Sequence, residues 1–155
     1  MSRMTTLSRR HMLTATMAGG LATILVRPAH ATPASMQDAI RKVVGEGKVT
    51  VGRVRLEIPP LSENGNSVTC AVSVESPMTQ KDHVKAIHLF NEKNPQPNVI
   101  SAHLGPRAGR ARLQTRIRLS DTQTVIAVAE MSDGSFWSHS ANVIVTLGAC
   151  LEDSA

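Results

Sequence analysis

The sequence predicts an all-β fold, an antiparallel β-sandwich with a short N-terminal helix. Three observations lead there. Apolar residues recur at every second position in short runs; turn-forming residues separate those runs; and about 124 residues remain once a leader at the front is set aside. That length suits one domain with a core of its own.

The leader is residues 1–31. Ser8-Arg9-Arg10-His11-Met12-Leu13 is a twin-arginine pattern, Met12 to Val26 is uncharged and moderately apolar, and Pro28-Ala29-His30-Ala31 is a small-x-small exit. The apolar stretch is 15 residues, short of the roughly 18 to 20 that cross a bilayer. A cleaved export signal is therefore expected rather than an anchor, with a bacterial periplasm as destination. Because the twin-arginine route moves folded protein, the domain is expected to fold before it crosses. The leader also holds Arg3, Arg9, Arg10 and Arg27 and no acid, so the remaining chain has 13 cations against 12 anions, a net of +1. The precursor's basicity is thus no sign of nucleic-acid binding. Phe90, Phe136 and Trp137 are the only large aromatics, too few for a base-stacking surface.

Each element has its own signature. Met36, Ile40 and Val43/Val44 share one helical face, with Ser35 placed to cap it, Asp38 in the box position and Gly45 to end it. Val54, Leu56 and Ile58 alternate with charged neighbours until Pro59-Pro60. Asn64-Gly65-Asn66 is a turn signal, after which Val68, Cys70, Val72 and Val74 point one way. Val84 to Asn91 is apolar on both sides, Asn94-Pro95-Gln96-Pro97 reads as a loop, and Val99 to Leu104 as the next strand. Leu113, Thr115, Ile117 and Leu119 alternate with Arg112, Gln114, Arg116 and Arg118. Thr124 to Met131 reads as a central strand, Asp133-Gly134-Ser135 as a turn, and Asn142 to Leu147 as the last strand, giving seven in all.

Two cysteines in an exported chain raise the question of a disulfide. Cys70 lies on the apolar side of its strand and should pack as a small hydrophobe. Cys150 follows the last strand in Leu147-Gly148-Ala149-Cys150-Leu151-Glu152-Asp153. A bond between them would bring a tail into the core, so two free thiols are expected, one hidden and one offered on a flexible C-terminal arm loosened by Gly148 and Ala149. Glu152 and Asp153 disfavour a thiolate at Cys150. A self-sufficient thiol enzyme would place a base or positive field there; a carrier can leave activation to its partner. His83, His88, His103 and His139 have no metal-ligand spacing and read as loop or surface residues, and no metal or cofactor is expected. Arg107, Arg110, Arg112, Arg116 and Arg118 should stripe one face of one strand, either as a solvated surface or as a docking face for an acidic partner. Ile87, Leu89 and Phe90 are a candidate apolar interface.

The leader, the short helix, Asn64-Gly65-Asn66-Ser67, Val74-Glu75-Ser76-Pro77-Met78 and above all the run from Thr122 to Trp137, with Ala129-Glu130-Met131-Ser132-Asp133-Gly134-Ser135-Phe136-Trp137, resemble the SoxY family. SoxY is the sulfur carrier of bacterial thiosulfate oxidation. The resemblance implies an immunoglobulin-like sandwich (32–147) paired with SoxZ as a heterodimer, and an arm (148–155) whose cysteine, here Cys150, holds sulfur intermediates. It implies that the cytochrome SoxAX joins thiosulfate to that cysteine, that the hydrolase SoxB releases sulfate and that the dehydrogenase SoxCD, where present, oxidises the remaining sulfur. The family arm usually ends Gly-Gly-Cys-Gly-Gly; this chain has Gly148-Ala149-Cys150-Leu151-Glu152. The competing expectations are an exported interaction or scaffold module with an idle thiol, and a self-contained thiol enzyme.

Overall fold

The computed structural model describes residues 32–149. Residues 1–31, expected to be a leader, and residues 150–155, with Cys150, lie outside the described residues.

The helix, α1, spans Pro33–Val44. It begins three residues before the sequence suggests. Thr32, not Ser35, is the cap: the Ser35 N–H donates to Thr32 Oγ1 at 3.2 Å and the Thr32 N–H donates to Ser35 Oγ at 2.6 Å. Pro33 makes the early start possible, because a first-turn proline needs no N–H partner and already has a helical φ. Gly45 ends the helix at φ 62°, its N–H donating to Arg41 O. Met36, Ile40 and Val44 are buried.

Nine strands follow among the described residues: β1 Val49–Val51, β2 Val54–Glu57, β3 Leu61–Ser62, β4 Val68–Val74, β5 Val84–Asn91, β6 Asn98–His103, β7 Arg112–Ile117, β8 Gln123–Met131 and β9 Phe136–Val145. They form two sheets. One has the order β1-β9-β8-β5-β6 with β3 also on β9, and the other is β2-β4-β7. The long pairs are antiparallel, while the short β1 and β3 run parallel to β9. The two extra strands arise because one stretch of chain visits both sheets. Gly52 (φ 130°) and Arg53 (φ 52°) carry it from β1 to β2, and the Arg53 guanidinium lies 5.5 Å over the Trp137 ring. Pro59-Pro60 carries it back to β3.

The last strand starts six residues earlier than its apolar pattern indicates. Ser138, His139 and Ser140 hide the alternation, but the turn ahead of them is tight. The Met131 N–H donates to Ser135 O at 2.9 Å, Gly134 has φ 83°, and Asp133 Oδ1 accepts from the Ser135 N–H at 2.8 Å. β9 therefore pairs with β8 from Phe136 onward.

Side chains of both sheets meet in the main core, including Leu56, Cys70, Val72, Ile87, Leu89, Val125, Ala127 and Val143. A second core lies under α1, where Met36, Ile40 and Val44 cover Phe90, Val128 and Phe136. β5 is thus covered on both faces by its own chain. Ile87, Leu89 and Phe90 are fully buried, so they are not the outward interface that their composition suggests. Burying one such side chain stabilises the fold by about 1.5–3 kcal/mol.

Candidate functional site

The site follows from how the chain leaves β9. At that end of the sandwich three loops converge: 63–67 before β4, 92–97 between β5 and β6, and 118–122 between β7 and β8. A ladder of backbone bonds ties the departing chain to them. The Thr146 N–H donates to Ser62 O at 3.1 Å, the Gly65 N–H to Leu147 O at 2.7 Å, the Leu119 N–H to Gly65 O at 2.8 Å, and the Ala149 N–H to Leu119 O at 2.9 Å. Thr122 adds its hydroxyl, which accepts from the Val145 N–H at 2.9 Å.

Two glycines make this approach possible. A Cβ on Gly65 would lie 2.2 Å from Leu119 O, and one on Gly148 would lie 2.1 Å from Ser120 O. Neither has a positive φ; what they provide is the absence of a side chain where two backbones touch. Gly148 and Ala149, expected to loosen the arm, thus sit on the last rung of the ladder, one residue before Cys150. Asn64-Gly65-Asn66 marks a turn in the sequence, but the contact of Gly65 with Leu119 and Ala149 spans residues too distant for any local pattern to expose.

Asn94 fixes the opposite side of this junction. Its Oδ1 accepts from the Ser120 N–H at 3.1 Å and from Gln123 Nε2 at 3.0 Å, and its Nδ2 donates to Arg118 O at 2.8 Å. Gln123 Oε1 accepts from the Lys93 N–H at 2.8 Å, and Gln123 is fully buried. Lys93 Nζ is 2.7 Å from Asp121 Oδ2. The Lys93 ammonium, with the Thr122 N–H, holds the Asp121 carboxyl below the ordinary carboxylate range. The sequence pattern marks Asn94 only as a loop residue. The only signal is its place in Asn-Pro, since an asparagine's amide can stand in for backbone partners in a turn.

The other candidate residues divide clearly. Cys70 is 1% exposed and a free thiol in the core, and burial pushes its thiol up from the ordinary value. It is screened from solvent reagents. His88 is buried, not on the surface, with Nδ1 2.8 Å from Ser101 Oγ. Burial holds its imidazole below the usual value, His103 adds to that, and Glu130 opposes it. His139 Nδ1 accepts from the Leu56 N–H at 3.0 Å and so bridges the two sheets. Among the described residues no three His, Cys, Asp or Glu side chains gather into a group that could hold a metal. The arginine stripe is shorter than expected. Arg112 and Arg116 lie on the exposed face of β7 and Arg118 is exposed just past it, but Arg107 is on a 3-10 turn, Pro106–Ala108, and Arg110 is in the loop after it.

Comparison with known proteins now decides the family. The family model described as sulfur oxidation protein SoxY matches residues 40–150, more than half of the chain. The chain belongs to the SoxY family. Members of this family are sulfur carriers, work in the periplasm and pair with SoxZ. Among solved structures, the chain is similar to the sulfur carrier protein SoxY from Chlorobium limicola f thiosulfatophilum, with 23% identity, a TM-score of 0.63, and coverage of 74% of this chain and 98% of that one. It is also similar in fold to a superoxide reductase (neelaredoxin) variant from Ignicoccus hospitalis, with 15% identity, a TM-score of 0.54, and coverage of 70% and 86%. A third likeness is to a putative superoxide reductase from Thermotoga maritima, with 20% identity, a TM-score of 0.53, and coverage of 64% and 93%. At these identities the structures speak for the fold alone. No match was found among curated protein sequences.

Proposed function

We propose that this SoxY-family chain carries the sulfur intermediates of thiosulfate oxidation as covalent adducts of Cys150. The observation that carries the reading is the junction just described. The sandwich delivers the chain to one end of the fold and holds it through Ala149, and the next residue is Cys150. The other thiol, Cys70, is locked in the core. A chain that runs into its second cysteine directly after a backbone-bonded exit suits presentation of that cysteine to partner enzymes, and tethering keeps reactive sulfur from diffusing away between them.

The chemistry balances with partners of the Sox type. Loading joins the Cys150 thiol to thiosulfate through a new S–S bond, releasing one proton and two electrons to a SoxAX-like cytochrome. Water then cleaves the terminal sulfone on a SoxB-like hydrolase, giving sulfate and leaving a persulfide, which a SoxCD-like dehydrogenase oxidises further where one is present. A SoxZ-like subunit completes the carrier. Residues 1–31 act as the twin-arginine leader, 32–147 as the sandwich and 148–155 as the arm. When Leu147 to Ala149 peel from the ladder, the thiol gains about 10 Å of reach, at roughly 3.3 Å per residue. That suffices to enter a shallow pocket while the sandwich stays outside.

The test is intact-mass analysis after incubation with thiosulfate and a SoxAX-type cytochrome. The native chain and Cys70→Ser should gain thiosulfate-derived mass confined to the C-terminal peptide, and Cys150→Ser should gain none. Adducts that persist on Cys150→Ser overturn the assignment. A chain that takes no adduct, or forms only an intermolecular disulfide, is a scaffold.

A further inference from the structure

We propose that the free edge of β7 takes an extended acidic segment of a partner protein, which joins the small sheet as an added strand beside Arg112, Gln114 and Arg116.

The backbone comes first. β7 ends the sheet β2-β4-β7, so one of its sides has no neighbouring strand among the described residues. Which groups lie on that side follows from the ladder to β4. The Val74 N–H donates to Ala111 O at 2.9 Å, in the register that sets Ser73 against Arg112 and Cys70 against Thr115. Hydrogen-bonded pairs alternate along an antiparallel ladder. Leu113, Thr115 and Ile117 therefore bond to β4, while Gln114 and Arg116 turn both N–H and C=O to the open side. Arg112 offers its carbonyl there, and its N–H donates to Arg110 O at 3.1 Å. The Thr115 hydroxyl lies 3.5 Å from the Arg116 carbonyl, at the limit of a bond. An unpaired edge of this kind is a template for a further strand.

Charge names the strand. The residues with open backbone are the same ones whose side chains are exposed, Arg112, Gln114 and Arg116. Among the described residues neither arginine has a carboxylate within ion-pair distance; the ion pairs fall on Arg41, Arg53, Arg55, Lys85 and Lys93. Glu57 shares a shallow recess with Arg112 and Gln114, but it is paired with Arg55. A second copy of β7 is a poor occupant. Antiparallel self-pairing centred on Gln114 sets Arg112 against Arg116 twice, and like charges directly opposite are unfavourable. An incoming strand with a carboxylate at every second position instead places one beside each guanidinium, with about 5 Å between Cβ atoms. The arginines thus repel a basic edge and draw an acidic one.

Neither cysteine takes part, so this edge and the carrier reading can fail separately. The probe is a peptide of alternating glutamate and valine, blocked at both ends and titrated into the native protein at low ionic strength. Amide exchange is the readout. Binding should slow exchange at Gln114 and Arg116 and leave Leu113 and Thr115, already bonded to β4, unchanged. Arg112→Gln/Arg116→Gln should weaken binding about two- to thirtyfold, the range for two surface ion pairs. The same peptide with lysine for glutamate should not bind. Backbone N-methylation of the glutamates, whose N–H groups face β7 in this pairing, should abolish binding, and N-methylation of the valines should not. No binding at about 1 mM peptide, or binding indifferent to where the methyl groups stand, overturns the proposal. So does salt-sensitive binding that leaves Gln114 and Arg116 unprotected, since that is a diffuse polyanion contact and not an added strand.

Discussion

Gly148→Ala tests the junction from which the arm springs. The added methyl would sit 2.1 Å from Ser120 O, against the 3.0 Å below which Cβ contacts essentially do not occur. Something must yield by about 1 Å. If the body yields, the cost is that of overpacking, about 1–3 kcal/mol. If the chain lifts away instead, it forfeits the Gly65 to Leu147 and Ala149 to Leu119 bonds, at about 0.5–1.5 kcal/mol each. Alanine lowers the entropy of the unfolded chain and returns about 0.4–1 kcal/mol. Either route leaves a net loss of about 1–2 kcal/mol, or roughly 3–10 °C in Tm for a domain of this size. Gly105→Ala is the control: its backbone is extended and nothing lies within 4 Å of the added carbon, so it should hold or slightly raise Tm. Thermal unfolding by circular dichroism gives the cost. Amide exchange at Gly65 and Ala149 shows which route is taken, since protection falls if the chain lifts. A Gly148→Ala protein with the Tm of Gly105→Ala and native protection at both amides would refute the close approach.

Two further outcomes follow from the cores. Phe90→Ala empties the space between α1 and the large sheet and should cost about 3–5 kcal/mol in urea unfolding; a loss under about 1 kcal/mol would mean that the helix does not depend on it. His88 makes stability fall on mild acidification. Its folded-state value lies below the ordinary one, near 6.5, because of burial, so as pH drops the unfolded chain takes up the proton first. Stability should decline below about pH 6.5, by at most about 1.4 kcal/mol per pH unit, until the folded imidazole also protonates. His88→Gln should flatten that decline between about pH 6.5 and 5, above the range where the depressed Asp121 and Asp133 carboxyls titrate. An unchanged slope would show that His88 is not its source.

Much of this was legible locally. Two-residue alternation marks Val68 to Val74 and Leu113 to Leu119 as half-buried strands, because each pleat decides its neighbour's face. The same alternation placed Cys70 inside, and Gly45 and Gly134 ended their elements where φ had to turn positive. What failed was context. The both-sided apolarity of Val84 to Asn91 is equally consistent with a partner's surface and with a helix from the same chain, and only the fold shows α1 lying over Phe90. His88 looks polar in isolation yet is buried between neighbouring strands.

The sequence by itself determined the seven longer strands and the turns between them, the inward thiol and the position of the second cysteine just past the last strand, since these depend on side-chain period and backbone dihedrals within a few residues. Only the tertiary structure decided where that last strand ends and what holds it. The contacts of Gly65 with Leu119, Leu147 and Ala149, and of Gly148 with Ser120, join residues 28 to 84 positions apart, and a missing methyl group acquires a purpose only when another backbone arrives against it.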